Sequence, residues 1–448
     1  MCNGTIMDKL ISFSVPLMLS GILQLMFNAV DIIVVGRFTG STALAAVGST
    51  TALISTFTNL FIGVSLGANV LAARFYATGK AKEMSETVHT AIALAAISGV
   101  VMCIIGIAAA REALVLIDTP DDVIGQAALY LRLYFCGMPF FMLYNYGAAI
   151  LRAVGDTKRP LMYLIIAGST NAVLDLVLVI IFKMGVAGVA IGTVTSQLIS
   201  CILVIRCLMT TESDYKLRIR DLRIRKYYLL QILSVGLPAG IQSTVINFSN
   251  VLLQSSVNSF GEIAMAGYTA ANNILGFLYV SVNSITQACM SFTSQNFGAG
   301  KYNRMTKILC YCLGIVVFVG IVMGDGAVFF GRQLLEIYSS DQDVIGYGVA
   351  RLRIICGTYF LCGIMDTMVG ALRGIGYSVI PMFVSLTGAC LFRVIWIYTV
   401  FAGHRTLGTL YLSYPVSWII TFSAHVICYL LIRRSMAKKR TESEQNRQ

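Results

Sequence analysis

The sequence predicts an all-α integral membrane protein with twelve transmembrane helices, arranged as two six-helix lobes related by a pseudo-twofold axis along the membrane normal. Three observations predict this fold. The composition is apolar, apolar stretches long enough to cross a bilayer recur along the whole chain, and the two halves of the chain repeat each other.

The composition excludes a soluble globular protein. Of the 448 residues, 57% are hydrophobic and only 12% are charged, whereas about 25% of the residues in a soluble domain are charged. So few polar residues cannot cover a water-soluble globule of this length, and we expect the lipid bilayer to surround the chain. No signal peptide with a cleavage site precedes the first apolar stretch, so we expect that stretch to remain as a span.

Apolar stretches between charged or Pro/Gly breaks mark the spans, because a spanning helix needs about 20 apolar residues. They lie near residues 10–36, 44–73, 88–110, 124–151, 160–182, 186–208, 230–258, 264–295, 306–330, 345–372, 379–402 and 408–432. The longest polar break falls near the midpoint and is either a solvated linker or a segment resting on anionic headgroups. The predicted domains are therefore an N-terminal lobe (1–208), a cytoplasmic linker (209–229), a C-terminal lobe (230–432) and a basic cytoplasmic tail (433–448).

The distribution of basic residues predicts the orientation. The N-terminus, the even-numbered loops and the tail hold 24 Lys and Arg residues, and the odd-numbered loops hold five. By the positive-inside rule, both termini face the cytoplasm of a multi-pass protein in the cell membrane. Because the basic residues lie in short loops between spans, the net charge of +12 does not indicate a nucleic-acid partner.

The twelve cysteines lie mostly in apolar runs with no CxxC motif, so we interpret them as small core residues rather than as a disulfide or zinc framework.

The two halves repeat at a constant offset. "ARFYATGKAKEM" (73–84) aligns with "SQNFGAGKYNRM" (294–305), and "ILRAVGDTKRP" (150–160) aligns with "ALRGIGYSVIP" (371–381), with the same separation in both alignments. Because each half has an even number of spans, both enter the membrane from the same side and form parallel repeats. Two such lobes around a central cleft suit alternating access, which favours a transporter over a channel or a membrane enzyme by analogy of fold.

Polar side chains in the first half share one depth. Asp31 on span 1 lies about 9 Å below the outer end of that span, and Asp175 on span 5 about 12 Å below the outer end of span 5, at 1.5 Å per residue. Asn171 lies one turn deeper than Asp175 on the same helix face, and Thr193 on span 6 is also about 12 Å deep. On span 1, Gln24, Asn28 and Asp31 form one polar stripe.

Two neighbouring carboxylates in a low dielectric cannot both stay charged unless a cation joins them. Either a proton neutralises one of them, or Na⁺ is held by the Asp, Asn and Thr oxygens. In either case the acids bind and release a cation reversibly, as an antiporter requires. Acids inside membrane helices commonly mark ion pathways. The structural alternative is that Asp31 and Asp175 only hydrogen-bond helices together.

These motifs resemble a known family. The polar stripe of span 1, "RFYATGK", "QNFGAGK", "LRAVGDTKRP" and "GVAGVAIGT" are similar to the multidrug and toxic compound extrusion (MATE) family, and in particular to its prokaryotic branch with an aspartate pair in the N-terminal lobe. The resemblance covers about residues 10–435. It implies an exporter that exchanges Na⁺ or H⁺ for organic, often cationic and amphipathic, molecules, with the cation held by Asp31, Asn171, Asp175 and Thr193. We expect a monomer with no cofactor beyond the coupling ion.

The second half departs from this pattern, because no acid stands at the position that corresponds to Asp31. Asp366 is either a functional acid facing the cleft or a partner for Arg351, Arg353 or Arg393, and Arg393 is either a structural counter-ion or a cleft residue. Other polar or soft side chains are predicted to face the cleft or to serve helix packing. They are Gln24, Asn28, Asn59, Met142, Asn145, Gln254, Asn272, Asn273, Tyr279, Asn283 and Gln287.

Other function classes fit less well. The nearest rival is a flippase for a lipid-linked precursor with the same two-lobe architecture, whose cleft should carry several basic residues to neutralise a pyrophosphate. Acids and amides dominate the predicted outer half of the cleft, with Arg393 as the exception, which favours a cationic substrate. A membrane enzyme is not indicated, because the chain has no HExxH motif and no phosphate-cradling glycine loop. A channel would tend to lack the paired carboxylates.

Overall fold

The computed structural model describes residues 1–117 and 119–445, and within them every regular element is helical. Among these residues, 11 helices are long and apolar enough to cross a membrane, and the bent pair Asp121–Cys136 and Met138–Val154 supplies a twelfth span when it is counted as one. Large apolar side chains lie at the surface, with Leu116 84% and Phe329 79% exposed. Such an apolar surface fits contact with lipid chains, and the predicted all-α membrane fold is confirmed.

The first half of the chain begins with three long helices and ends with a bent pair followed by a further pair. The helices are α1 (Ile6–Phe38), α2 (Ser41–Ala77), α3 (Ala81–Leu116), α4 (Asp121–Cys136), α5 (Met138–Val154), α6 (Lys158–Leu176) and α7 (Gly185–Thr210). A π-helical segment, Val177–Ile181, extends α6. The axes of α4 and α5 differ by 46°, because Pro139 in the first turn of α5 lacks the N–H that would continue α4.

The second half repeats this order with more irregular spans. Its helices are α8 (Lys226–Asn258), α9 (Glu262–Gly298), α10 (Tyr302–Phe329), α11 (Gly331–Glu336), α12 (Gln342–Ile355), α13 (Tyr359–Ile375), α14 (Val379–Ser385), α15 (Phe392–Trp396) and α16 (Leu407–Gln445). A 3₁₀ turn, Cys356–Thr358, separates α12 from α13. Two π-helical segments, Leu386–Leu391 and Ile397–Phe401, flank α15.

The repeat extends to the backbone of the turns. Three pairs of glycines adopt positive φ angles, and the two members of each pair are separated by the same offset as the repeated motifs. The pairs are Gly40 and Gly261 (97° and 95°), Gly79 and Gly300 (65° and 69°), and Gly155 and Gly376 (101° and 107°). Glycine adopts this conformation without steric cost, so the corresponding loops of the two halves have the same local conformation.

The chain divides into two compact units. Unit 1 comprises Met1–Thr244 and Ser294–Lys301, and unit 2 comprises Val245–Thr293 and Tyr302–Gln448. This division differs from the predicted lobes, because the first half of α8 and the last turn of α9 belong to unit 1. Within unit 1, α2 and α8 approach so closely at glycines that a Cβ on Gly236 would lie 2.6 Å from the Cα of Val64. Small residues permit such backbone approach between membrane helices.

One helix lies at the centre of each unit. In unit 1, α5 packs against α2, α3 and α7, and its Met142 and Tyr146 are fully buried. In unit 2, α13 packs against α10 and α16. The cysteines are free thiols, and many, including Cys312 and Cys356, are buried. The core of each unit is therefore a set of close helix contacts filled by apolar and small side chains.

The predicted linker is held against unit 1. It is shorter than predicted, because α7 runs to Thr210 and α8 begins at Lys226. Tyr215 and Leu217 are buried, and the backbone N–H of Arg218 lies 3.0 Å from Nε2 of His89 on α3. The linker is therefore anchored to α3 rather than free in solvent.

The predicted basic tail is largely helical. Helix α16 continues to Gln445, so residues 433–445 extend the last span, and residues 446–448 lie outside the part of the chain that the structure describes. Arg433 at its start donates a 2.9 Å hydrogen bond to Oγ1 of Thr306 on α10. The start of the tail is thus fixed to unit 2.

Candidate functional site

Helices α1 and α6 pack side by side in unit 1 and bring two acids together. Asp175 on α6 is 0% exposed, and Asp31 on α1 is half-buried. The two carboxyl groups are within hydrogen-bonding and Coulombic reach of each other. Asp31 and Asp175, whose positions in the sequence predict similar depths in the membrane, therefore also lie next to each other within one compact unit.

Hydrogen bonding satisfies only part of this acid pair. Nδ2 of Asn171 donates to Oδ1 of Asp175 at 3.2 Å, as expected for residues one turn apart on a helix. Oδ1 of Asp31 and Oδ2 of Asp175 are buried with no hydrogen-bond partner among the described residues. Because ionised carboxylates only accept hydrogen bonds, neither can satisfy the other unless a proton is added. A proton or a small cation would satisfy both oxygens.

A glycine on α7 makes room for the buried carboxyl group. A Cβ on Gly192 would lie 3.4 Å from both Nδ2 of Asn171 and Cγ of Asp175, and closer still to the carboxylate oxygen. Its neighbour Thr193, a predicted site residue, donates its hydroxyl to the backbone oxygen of Val189 at 3.0 Å, which leaves the hydroxyl oxygen free to accept. Sequence reasoning missed Gly192 because glycine offers no ligand atom, although it lies next to Thr193 in the quoted motif.

Two tyrosines on α4 complete the surroundings of the acids. Tyr130 and Tyr134 interact electrostatically with Asp31, and Tyr134 is within hydrogen-bonding reach of Gln197 on α7. Their ring centroids are 6.3 Å apart. Sequence reasoning missed this pair, although the spacing of four residues in "YLRLY" places both rings on one helix face.

The other predicted residues of unit 1 differ in exposure. Gln24 and Asn28 are exposed, and Asn59 and Asn145 are half-buried. The amide of Asn145 donates to the backbone oxygen of Phe141 at 2.8 Å, within its own helix. Met142 is fully buried in the apolar core and presents no surface to a ligand in this structure, because α5 turns that face toward the centre of unit 1.

The predicted residues of unit 2 do not converge on an acid pair. Gln254, Asn272, Asn283 and Gln287 are half-buried, and Asn273 and Tyr279 are exposed. Asp366 is half-buried and interacts electrostatically with Arg373 on the same helix. Within the described part of the chain, no ion pair joins Asp366 to Arg351, Arg353 or Arg393.

Comparison with known proteins agrees with the internal repeat. The MatE family model matches residues 16–177 and again residues 238–399. The probable multidrug resistance protein YoeA of Bacillus subtilis (strain 168) is 28% identical over 84% of this chain and 82% of its own length. The multidrug export protein MepA of Staphylococcus aureus (strain MSSA476) is 22% identical over 96% of this chain and 95% of its own length. A solved structure of a multidrug resistance MATE family transporter of the MOP superfamily, in an outward-facing conformation, has the same fold, with a TM-score of 0.91, 20% identity and 97% of each chain covered.

Proposed function

Because the chain belongs to the MATE family, whose model matches both of its halves, we propose that it is a cation-coupled antiporter that exports organic compounds by alternating access. The observation that carries the coupling proposal is the meeting of Asp31 and Asp175 in unit 1, each with a buried oxygen that lacks a partner among the described residues. The coupling ion is H⁺ or Na⁺, and it is transported rather than retained.

The acid pair couples the two fluxes through the difference in cation affinity between two conformations. Entry of a cation neutralises the repulsion between Asp31 and Asp175 and satisfies their buried oxygens. Release of the cation on the other side of the membrane restores the repulsion and again leaves the buried oxygens without a partner. A ligand shifts a conformational equilibrium only by its differential affinity for the two states, so a gradient of this cation can drive the cycle in one direction.

The exported compounds are proposed to be cationic and amphipathic. Gln24 and Asn28 extend the stripe of Asp31 along α1 and are exposed, so they can bind a polar or positively charged group. Surfaces with adaptable contacts accept many shapes. The names of the two relatives, a multidrug resistance protein and a multidrug export protein, support a varied set of compounds.

We also propose that both termini face the cytoplasm of the cell membrane, because the N-terminus, the even-numbered loops and the tail hold 24 basic residues against five in the odd-numbered loops. Alkaline phosphatase is active only outside the cytoplasm. A fusion after Gln448 should be inactive, and a fusion after Arg405 should be active. The opposite pattern would reverse the orientation.

Transport by everted membrane vesicles tests the coupling. Uptake of the cationic dye ethidium, driven separately by a pH gradient or a Na⁺ gradient, should occur with one gradient and be lost in Asp31→Asn and Asp175→Asn at equal membrane abundance. Asp325→Asn is the matched control, because Asp325 is an exposed acid on a spanning helix of the other half. Normal gradient-driven uptake in both acid-pair variants would end the coupling proposal.

A further inference from the structure

Unit 2 contains a buried arginine whose surroundings are mostly aromatic. Arg351 on α12 is only 2% exposed. Its guanidinium lies 3.7 Å from the ring centroid of Tyr268 and 5.2 Å from that of Tyr411, and its Nη2 donates to Oδ1 of Asn272 at 2.6 Å. Arginine remains charged in proteins, so a full positive charge is buried among rings and one amide.

A second buried arginine faces the same cluster. Arg393 on α15 is 5% exposed and lies 4.2 Å from the ring centroid of Tyr414, while Arg351 lies 5.8 Å from that centroid. Nε of Arg393 donates to Oγ of Ser417 at 3.0 Å. Two buried positive charges therefore lie beside the ring of one tyrosine.

The cluster has donors without acceptors. No carboxylate of the described residues lies within 4.0 Å of either guanidinium. Nε and Nη1 of Arg351 and the hydroxyl of Tyr411 are buried with no hydrogen bond of normal geometry to any described residue. Buried polar groups are normally satisfied, and buried charges are normally paired. What this cluster lacks is an acceptor with negative charge.

The internal repeat makes this cluster the counterpart of the acid pair. At the offset that relates the two halves, Arg351 corresponds to Tyr130, which interacts with Asp31 and Asp175, and Tyr414 corresponds to Thr193. The corresponding regions of the two units therefore carry opposite charge. Such a difference between repeats indicates two sites of different ligand preference rather than two copies of one cation site.

Helix irregularities adjoin both arginines. The 3₁₀ turn Cys356–Thr358 follows Arg351 by about one turn, and α15, which carries Arg393, lies between two π-helical segments. Short π-helical segments within helices are frequent at functional sites. The irregular turns are therefore a second feature, besides the buried charges, that is typical of a functional site.

We propose that unit 2 holds an anion site in which Arg351, Arg393 and Tyr411 bind a phosphate or carboxylate group. Arginine suits such oxyanions because its several N–H donors are fixed in one plane. The group belongs either to a membrane lipid headgroup or to a water-soluble compound. This inference is independent of the coupling assignment. It also assigns a binding role to Arg351, which the sequence alone suggested only as a partner for Asp366.

Two binding measurements on the purified, delipidated full chain separate the two sources. Equilibrium dialysis with radiolabelled inorganic phosphate at constant ionic strength measures binding of a free anion. Native mass spectrometry measures retention of phosphatidylglycerol against phosphatidylcholine. The variants are Arg351→Gln, Arg351→Lys and Arg393→Gln. Arg353→Gln is the matched control, because it removes one exposed positive charge two residues away on the same helix.

Saturable phosphate binding that weakens at least tenfold in Arg351→Gln and Arg393→Gln, but not in Arg353→Gln, supports the site with a soluble ligand. Loss of one retained phosphatidylglycerol in the same two variants, with phosphatidylcholine unchanged, supports it with a lipid headgroup. Arg351→Lys keeps the charge and should retain part of the binding. The proposal is overturned if the wild-type chain prefers neither anionic probe, whatever the folding of the variants, or if Arg353→Gln weakens binding as much as Arg351→Gln.

Discussion

Nδ2 of Asn171 donates a hydrogen bond to Oδ1 of Asp175 at 3.2 Å, while Oδ2 of the same carboxyl group is buried with no partner among the described residues. One oxygen of this acid is thus fixed in place, and the other is left for a ligand. Unit 2 shows the converse at Arg351, where Nη2 donates to Asn272 while Nε and Nη1 make no hydrogen bond of normal geometry to any described residue. In both cases an amide orients a buried charged group whose remaining atoms require an opposite charge.

The orienting amide predicts the effect of Asn171→Ala. Removing the donor leaves both oxygens of Asp175 without a partner, which costs about 1–3 kcal/mol for a buried group. We expect the concentration of H⁺ or Na⁺ that gives half-maximal ethidium uptake to change by about tenfold, since about 1.4 kcal/mol corresponds to a factor of ten. Asn145→Ala is the control, because that amide donates to the backbone oxygen of Phe141 and not to a carboxylate. Equal cation dependence in the two variants would contradict an orienting role.

The space at Gly192 predicts that Gly192→Ala impairs coupling without removing any ligand atom. The added methyl group would meet the Asp175 carboxylate and lie 3.4 Å from Nδ2 of Asn171, so the carboxyl group must move. We expect gradient-driven uptake to fall at least tenfold while membrane abundance stays unchanged. Gly125→Ala on α4 is the control, because nothing lies within 4 Å of a Cβ there. Full transport by Gly192→Ala would show that the carboxyl position is not critical.

Sequence reasoning reached some parts of this molecule and not others, for physical reasons. Asp31 and Asp175 were recognisable because a carboxylate in an apolar run is costly and helix rise converts position into depth. Gly192 contributes by having no side chain, which leaves space for the Asp175 carboxyl group, so no ligand atom identified it in the sequence. The sequence suggested Arg351 only as a partner for Asp366. Which helices a side chain faces within a bundle depends on helix packing, and the depth of a residue along its helix does not determine this. The boundaries of the two units at Thr244 and Thr293 fall inside continuous helices, where composition does not change.

The contact between the linker and α3 predicts a salt-dependent loss of stability in Glu86→Gln. Glu86 accepts from Arg223, and one of its oxygens lies 3.2 Å from Nε of Arg225. Both arginines are about half exposed, and solvent screens such ion pairs, so we expect only a small loss of stability. Thermal unfolding in detergent should show the difference from wild type at low salt and little difference at 1 M salt, where the Debye length is about 3 Å. A difference that does not depend on salt would rule out an electrostatic contact.

The approach of α2 and α8 predicts opposite effects for two glycine substitutions on the same helix. A Cβ on Gly67 would lie 2.9 Å from the backbone nitrogen of Gly236 and 3.0 Å from the backbone carbon of Ile232. Backbone atoms cannot rotate away as a side chain can, so Gly67→Ala forces the helices apart and should cost about 1–3 kcal/mol.

Gly48→Ala on α2 is the matched substitution, because nothing lies within 4 Å of a Cβ there. Alanine favours a helix over glycine by about 1 kcal/mol, so this variant should unfold at the wild-type temperature or slightly above it. Thermal unfolding of both variants in one detergent compares them directly, and Gly67→Ala should unfold several degrees lower. If the two variants unfold at the same temperature, the backbones of α2 and α8 are not in close contact at Gly67 in the folded protein.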